Sequence, residues 1–357
     1  MTPLYQPRPA GEAQMKSVVL KPPAGKEAPR PELAEMEIPV PGRGELVVKM
    51  EACGLCGTDL EKMRGEYTAS MPVLGHEAAG EISAVGEGVD SFKKGDRVFP
   101  HHHVPCYECY ICKAGDDTMC DMYRRSNIVP GGFSEYFRVP AWNLEKGGVL
   151  PLPNEVTFEE GALVEPTACC LRGIRKHARS GETVLVAGAG PVGLMHALLF
   201  EPMEVRVVIS DISEPRLDFA ERMRLGLVLD ASKDDIPGRL RAETQGRGAD
   251  MAVVASGSRA AIMQALRSVR KGGRVCLFGV PPKGSVLEYD ISELYNSGQQ
   301  IVTSYGADDV DTKAALGIIA SNPEFARLVT HRFPLSKFDG AVAAASGGEA
   351  MKVLLTP

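Results

Sequence analysis

The most informative segment of the sequence is Cys53-Gly-Leu-Cys56-Gly-Thr-Asp59. After a short polar segment it is followed by Gly75-His76-Glu77. Thiolate, imidazole and carboxylate groups together suit a borderline-soft ion such as Zn²⁺. A site with few protein ligands leaves a coordination position for water or substrate. The pattern therefore predicts a catalytic metal centre that the rest of the chain serves.

A second cysteine cluster follows downstream, in the pattern Cys106-x₂-Cys109-x₂-Cys112-x₇-Cys120. Four closely spaced thiols in a polar, loop-like segment are typical of a closed tetrahedral zinc site with no position for chemistry. The triplet His101-His102-His103 just before it is a weaker signal. Adjacent residues on an extended segment point to opposite sides, so we expect exposed or core histidines rather than metal ligands.

Length and composition limit the function classes. The chain has 357 residues, of which 44% are hydrophobic and 24% charged, so we expect two ordinary globular domains. A formal net charge of −6 argues against nucleic-acid and anionic-membrane binding. The sequence contains no apolar run of the roughly 20 residues that span a membrane. Its first residues do not have the pattern of a basic segment followed by an apolar one, so we expect no secretion signal. We therefore expect a cytoplasmic protein whose nine cysteines stay reduced.

The first part of the chain is predicted to form a small β domain. Residues 1–14 are rich in proline and polar residues, so we expect a disordered extension there. Strand-like runs begin at Met15 and over 45–52, and short runs between glycine turns continue over 79–99. These short strands predict a β-barrel-like fold, with the first metal ligand delivered at a strand end.

A glycine-rich turn follows an apolar strand pattern that begins at Thr183. It has the form Gly188-x-Gly190-x-x-Gly193, a helical stretch comes after it, and Asp211 closes the next strand-like run. This context predicts a dinucleotide site, in which the turn approaches the pyrophosphate and the acidic residue binds the ribose. Asp211 favours NAD over NADP, whereas Arg216 could contact a phosphate or lie on the helix surface.

Further alternation predicts a doubly wound parallel sheet, with a strand at 250–255, a helix at 259–270 and strands at 274–279 and 299–305. A helical pattern also covers the segment around Glu165-Pro166. Because proline is tolerated in the first turn of a helix, Glu165 would lie at a helix start, where its carboxylate could face the metal.

With these motifs in hand, the chain resembles the zinc-dependent medium-chain alcohol dehydrogenases, in particular the sorbitol, threonine and related polyol dehydrogenase branch. The resemblance runs from about Met15 to the C-terminus. It implies an α/β protein with a GroES-like β-barrel catalytic domain, residues 15–165 and 305–357, and a Rossmann domain with a doubly wound parallel sheet, residues 166–304.

The resemblance also implies a ligand set. Cys56, rather than Cys53, and His76 are catalytic zinc ligands, and Asp59 accepts a hydrogen bond from the far nitrogen of His76. The third protein ligand is Glu165 or Glu77, and the sequence leaves that choice open. The cysteine cluster binds a second, structural zinc. The implied cofactor contacts are Gly188, Gly190, Pro191, Val192, Gly193, Asp211 and Arg216.

The implied activity is hydride transfer from a secondary alcohol of polyol, sugar or cyclitol type to NAD, with NADP as the less favoured cofactor. The alternatives are a threonine-type amino-alcohol dehydrogenase, a carbonyl reductase and a non-catalytic zinc protein. Thr58 would begin a proton relay. The position of the relay histidine of many members is occupied here by Glu61, and we hypothesise that Glu61 or a water molecule takes over its role. The expected partners are a small-molecule substrate and further copies of the chain, in a homodimer or homotetramer.

Overall fold

The structure, a computed structural model, describes residues 13–22 and 28–357. It divides into two compact units, one running to Ala168 and resuming over Ala307–Pro357, the other Cys169–Gly306. The predicted domain boundary after residue 165 lies three residues before the observed one at Ala168, and the predicted boundary after residue 304 lies two residues before the observed one at Gly306. Most of the predicted extension, residues 1–12, lies outside the described residues, whereas Gln14 begins the first strand.

The strands of both units are numbered in chain order. They are β1 Gln14–Lys21, β2 Arg30–Glu37, β3 Leu46–Gly54, β4 Glu77–Val85, β5 Arg97–Pro100, β6 Tyr136–Val139, β7 Val149–Pro151, β8 Thr183–Ala187, β9 Arg206–Asp211, β10 Leu227–Asp230, β11 Ala249–Val254, β12 Val269–Leu277, β13 Gln300–Thr303, β14 Val329–Pro334 and β15 Lys352–Thr356.

The α-helices are numbered in the same way. They are α1 Gly57–Met63, α2 Tyr110–Lys113, α3 Asp121–Arg125, α4 Ala141–Glu145, α5 Phe158–Gly161, α6 Val164–Arg175, α7 Pro191–Phe200, α8 Glu214–Met223, α9 Ile236–Glu243, α10 Arg259–Ser268, α11 Ile291–Ser297, α12 Asp309–Ser321 and α13 Phe338–Ser346. Short 3₁₀ helices occur at Asp117–Met119, Glu201–Met203, Pro323–Leu328 and Leu335–Lys337. Among the described residues, no helix has both the length and the apolar character needed to cross a membrane.

The first unit is built on a seven-stranded sheet, which confirms the predicted β-rich domain. The strand order is β14-β15-β3-β4-β5-β7, and β6 pairs with β3. Strands β1 and β2 form a separate antiparallel pair. Inward-facing side chains such as Val48, Ile82 and Phe137 are fully buried and form the core of this unit.

The register of this sheet brings distant segments to one edge. Strand β3 is antiparallel to β4, with Gly54 opposite Glu77. Strand β5 is antiparallel to β4, with Val98 opposite Gly80. Strand β15 is antiparallel to β3, with Leu354 opposite Gly54. Because neighbouring antiparallel strands run in opposite directions, the ends of β3 and β5 meet the starts of β4 and β15.

The second unit is a six-stranded parallel sheet with the order β10-β9-β8-β11-β12-β13. Counted from β8, this is the order 3-2-1-4-5-6 of a dinucleotide-binding fold, so the predicted doubly wound sheet is confirmed. All five residues of the central strand β8 are buried, as expected for a parallel strand covered on both faces.

The predicted helix over 259–270 is two residues shorter in the structure, where α10 ends at Ser268. The next strand begins at Val269 rather than at the predicted residue 274. Val269 pairs with Ala249 on β11 before an irregularity in the ladder. Pairing with this buried strand takes the residue out of the helix, and helical spacing alone does not contain that information.

Candidate active site

Three of the predicted ligands lie together at the edge of the first sheet. The ligand atoms of Cys56, His76 and Glu77, one sulfur, one nitrogen and one oxygen, all lie within 4.8 Å of one another. Cys56 follows the end of β3 and forms the N-cap of α1. His76 immediately precedes β4, which begins at Glu77. The register of the two strands therefore converts two separate motifs into one donor set.

Asp59 fixes the orientation of His76 from behind. Its Oδ1 lies 3.4 Å from His76 Nδ1. Its two carboxylate oxygens also accept from the backbone N–H groups of Cys56, at 3.1 Å, and Gly75, at 3.4 Å. Burial acts to lower the pKa of His76, but the Asp59 carboxylate outweighs it, so the net pKa lies well above the usual value. A carboxylate that holds Nδ1 in this way leaves Nε2 free to bind a metal.

Lys352 is a site residue that the sequence reasoning missed. Its ammonium forms an ion pair with Glu77 Oε2, and the two side chains are 4% and 1% exposed. Burial acts to lower its pKa, but the negative charges of Glu77, Cys56 and Glu165 give a net upward shift. The ammonium therefore stays charged and offsets part of the negative charge of the donor set. The sequence feature that could have indicated a buried lysine is its isolated position in the apolar run Met351–Leu355.

Gly54 is required by the position of the Glu77 carboxylate. A Cβ atom at residue 54 would lie 1.8 Å from Glu77 Oε2, which is far inside van der Waals contact. The glycine that precedes Leu55 and Cys56 thus makes room for the buried Glu77–Lys352 pair.

Glu165 lies in the first turn of α6, as the Glu-Pro pattern predicts, and is 7% exposed. It adds to the negative potential at Lys352. Among the described residues, its carboxylate is not part of the group of donors within 4.8 Å of one another. Its predicted role as a direct zinc ligand stays a prediction, and Glu77 is the carboxylate adjacent to Cys56 and His76.

The two predicted relay residues, Thr58 and Glu61, both lie on α1. Residues three apart lie on the same helix face, so Thr58 and Glu61 share one face of α1. Burial, followed by the charge of Glu66, raises the pKa of Glu61. Its Oε2 is buried and has no hydrogen-bond partner among the described residues.

The histidine triplet is mostly buried, which agrees with the core alternative of the prediction. His101 is 1% and His102 7% exposed. The expected alternation to opposite sides is wrong, because the rings of His102 and His103 lie only 4.1 Å apart, centroid to centroid. The His102 ring centroid also lies 5.0 Å from that of His76. Sequence reasoning missed this contact between the triplet and the metal centre.

The second cysteine cluster also assembles as predicted by its spacing. The Sγ atoms of Cys106, Cys109, Cys112 and Cys120 form one group of possible metal ligands. Neighbouring sulfurs in this group are 3.5–3.8 Å apart. Zn–S bonds of about 2.3 Å in a tetrahedron place the sulfurs about 3.8 Å apart. The backbone N–H groups of Glu108 and Cys109 point at Cys106 Sγ, at 3.5 and 3.3 Å.

Both donor sets fit the zinc ions that the sequence predicts. Four thiols at tetrahedral spacing form a closed site, whereas the mixed sulfur, nitrogen and oxygen set leaves a position open. All nine cysteines lie in the described residues and none forms a disulfide, so the sulfur donors are available.

The glycine-rich turn lies in the second unit, between β8 and α7. Gly188 has a φ of +117°, and α7 begins with Pro191 directly after Gly190. A Cβ atom on Gly193 would lie 1.8 Å from the Gly188 carbonyl oxygen. The turn can therefore form only with glycine at this position, and it leaves backbone N–H groups at the N-terminus of α7 for an anionic group. Val192 lies in the first turn of α7.

Asp211 is placed beside this turn by the end of β9. Its carboxylate accepts from the backbone N–H groups of Ala189 and Ile212, at 2.7 Å each, and of Ser213, at 2.9 Å. Arg216 Nη1 lies 3.9 Å from Asp211 Oδ2. The cation and the carboxylate thus lie together next to Gly190.

Comparison with known proteins identifies the family. An alcohol dehydrogenase GroES-like domain matches residues 42–154, and a zinc-binding dehydrogenase domain matches residues 191–321. The L-threonine 3-dehydrogenase of Idiomarina loihiensis is 30% identical over 331 residues, which are 90% of this chain and 95% of that protein.

Solved structures show the same relationship. A zinc-binding dehydrogenase from Sinorhizobium meliloti 1021, bound to NADP, has a TM-score of 0.86 and 26% identity and covers 97% of this chain and 100% of its own. The 2R,3R-butanediol dehydrogenase from Bacillus subtilis has a TM-score of 0.81 and 25% identity and covers 96% of this chain and 99% of its own.

The chain belongs to the zinc-dependent medium-chain alcohol dehydrogenase family. The protein is accordingly a zinc-dependent, NAD(P)-dependent oxidoreductase that interconverts a secondary alcohol and its carbonyl compound.

The two cysteine sites are expected to respond differently to mutation. Cys56→Ser removes the sulfur donor of the open site, so activity should be lost while the melting temperature changes little. Cys109→Ser breaks the closed site, so its main effect should be a lower melting temperature. Zinc content, activity and thermal unfolding measured on both variants check this. Equal loss of folding in the two variants would contradict the division into catalytic and structural zinc.

Proposed function

We propose that the protein oxidises secondary alcohols that carry a further polar group next to the carbinol carbon, with polyols, sugars and cyclitols as the first class. The observation that carries this proposal is the polar character of the metal centre. Glu77, one of the three donors, is paired with the buried Lys352, the imidazole of His102 lies beside His76, and Glu165 adds its charge. A polar site leaves its groups unpaired when a substrate lacks the matching groups, and so selects hydroxyl-rich substrates.

In the proposed mechanism, Cys56 and His76 hold the zinc together with Glu77 or Glu165. When bound, zinc supplies Lewis acidity toward the alcohol hydroxyl, and the nicotinamide supplies the hydride acceptor. Asp59 keeps the metal-binding nitrogen of His76 in the required tautomer. Lys352 limits the negative charge that the donor set presents to the substrate.

The proton of the reacting hydroxyl is proposed to leave along α1. The Thr58 hydroxyl accepts it and gives up its own proton, which the Glu61 carboxylate accepts and then releases to solvent. The two side chains share one face of the helix, which suits this transfer. A carboxyl group with a raised pKa can hold a proton closer to neutral pH than an ordinary glutamate can. Glu61 is therefore suited to the acid–base role that a histidine has in many members of the family.

NAD is the proposed cofactor, with NADP the weaker one. The Asp211 carboxylate, at the end of the strand that follows the glycine-rich turn, is proposed to bind the adenosine ribose and to repel a 2′-phosphate. Gly188, Gly190, Pro191, Val192 and Gly193 are proposed to contact the pyrophosphate. Arg216 already lies near Asp211, so its charge is partly engaged by that carboxylate.

A threonine-type amino alcohol is the second candidate substrate. The relative from Idiomarina loihiensis is an L-threonine 3-dehydrogenase. Threonine also carries a polar group on the carbon next to its secondary carbinol. The buried carboxylates of the site suit its ammonium group as well as they suit hydroxyl groups.

We also propose that the chain acts as a homodimer or homotetramer in the cytoplasm. The edge strand β13 and its neighbours expose Ile291, Tyr295 and Ile301, at 77%, 85% and 39%. An unpaired strand edge beside exposed apolar side chains favours pairing with a second copy. Nine cysteines without a disulfide suit a reducing compartment.

The first test is cofactor reduction by the zinc-loaded protein with polyols, aldoses, cyclitols, threonine and simple secondary alcohols. We expect activity with NAD⁺ and a higher kcat/KM for substrates that carry a vicinal polar group. NADP⁺ measured in parallel should give a lower kcat/KM, because of the charge of Asp211. Equal rates for all alcohols would contradict the substrate proposal, and a preference for NADP⁺ would contradict the cofactor proposal.

The proton path is tested by Glu61→Gln, with Glu87→Gln, an exposed glutamate elsewhere in the same unit, as the control. Loss of the relay carboxyl should lower kcat and change its pH profile in the first variant only. Unchanged turnover and pH dependence in Glu61→Gln would show that this glutamate has no part in proton transfer.

The assembly is tested by light scattering on the native protein and on Tyr295→Glu. A charge placed in the apolar surface should reduce the mass from two or four chains to one. Tyr110→Glu is the control. Tyr110 is 86% exposed and Tyr295 85%, but Tyr110 lies between Cys109 and Cys112, far in sequence from the proposed contact surface. A monomeric native protein would refute the oligomer proposal.

A further inference from the structure

His102 is a buried imidazole beside the metal centre to which neither the motifs nor the family comparison gives a role. Its ring centroid lies 5.0 Å from that of the proposed zinc ligand His76. The other histidines of the triplet are placed differently. His101 contacts the rings of Phe99 and Tyr123, and His103 Nδ1 donates to the Ser126 carbonyl at 2.7 Å.

The position of His102 is set by the sheet and by one buried asparagine. Strand β5 ends at Pro100, and its antiparallel register with β4 carries the chain back toward His76. The side-chain amide of Asn143, which is fully buried, donates to the carbonyls of both His101 and His102, at 2.9 Å each. Two successive carbonyls that bind one amide cannot alternate as they do in a strand. The chain therefore bends, and His102 is held beside the metal centre.

One ring nitrogen of His102 is unpaired within the part of the chain that the structure describes. The side chain is more than nine-tenths buried, and its Nδ1 lacks a hydrogen bond among the described residues. An unpaired buried polar atom is unfavourable, by about 1–3 kcal/mol. A native structure keeps such an atom when a water molecule or a ligand completes the hydrogen bond.

We propose that His102 is a specificity-determining residue whose Nδ1 hydrogen-bonds a hydroxyl or amino group on the carbon next to the reacting carbinol. The inference rests on the proposed function and narrows its substrate class to vicinal diols and amino alcohols. In the proposed function the reacting hydroxyl is held by the zinc, and His102 borders the zinc ligand His76. The substrate group nearest to His102 is then the one on the carbon next to the carbinol carbon. A simple secondary alcohol leaves Nδ1 unpaired and is disfavoured for that reason.

The test uses two alcohols that differ by a single hydroxyl, butane-2,3-diol and butan-2-ol, with the zinc-loaded full-length protein. His102→Phe keeps an aromatic ring beside His76 but removes both ring nitrogens. Loss of one hydrogen bond should reduce the diol-to-monool ratio of kcat/KM about tenfold. His102→Asn retains a polar atom close to the position of Nδ1 and should restore most of the ratio.

The matched control is His101→Phe. His101 is a neighbouring buried histidine whose Nε2 also lacks a hydrogen-bond partner among the described residues. Its ring contacts those of Phe99, His102 and Tyr123. This variant should alter thermal stability without changing the diol-to-monool ratio. Zinc content of all variants, measured by metal analysis, should stay at the native value, because none removes a proposed ligand.

Binding without turnover gives an independent readout. Butane-2,3-diol should raise the melting temperature of the zinc-loaded native protein more than butan-2-ol does, and His102→Phe should abolish that difference. An equal diol-to-monool ratio in the native protein and in His102→Phe would overturn the inference while leaving the dehydrogenase function intact, and would assign Nδ1 to a water molecule. If no alcohol is oxidised, the proposed function fails, and the thermal-shift difference still decides the role of His102.

Discussion

The buried Glu77–Lys352 pair is the interaction on which the rest of the catalytic unit depends. Two opposite charges that are 1% and 4% exposed are tolerated only when they meet each other and further polar groups. Gly54 leaves the space for them, and the Leu55 carbonyl accepts from Lys352 at 3.3 Å. The adjacent thiol of Cys56 and imidazole of His76 then form a donor set whose negative charge is already partly compensated. A divalent cation can bind there and still polarise a neutral alcohol.

The sheet provides this arrangement by register rather than by sequence proximity. Cys56 lies after β3, His76 before β4, His102 after β5, and Lys352 at the start of β15. Antiparallel pairing brings these four strand ends to one edge, so residues almost 300 positions apart share one site. By contrast, the dinucleotide turn is local, because one strand, one turn and one helix supply its glycines, and Asp211 comes from the next strand.

This difference explains which parts of the site could be predicted. The cysteine cluster and the glycine turn are contiguous, so their spacing contains most of their geometry. Lys352 and His102 could not be found in that way. A lysine inside an apolar run and a histidine triplet have many meanings until the strands are paired. The expected alternation of the triplet failed for a similar reason, because the Asn143 side chain bends the backbone through contacts from another element.

Reading the amino-acid sequence was enough to predict the α/β class, the two kinds of cysteine site, the dinucleotide turn and the family to which the chain belongs. These features depend on residue type and short-range spacing, which any fold of this chain must respect. Only the tertiary structure decided that Glu77 lies with Cys56 and His76, that Lys352 balances the donor set, and that His102 borders it. The reason is physical: strand register and burial fix which charges and polar atoms meet, and neither can be read from one segment alone.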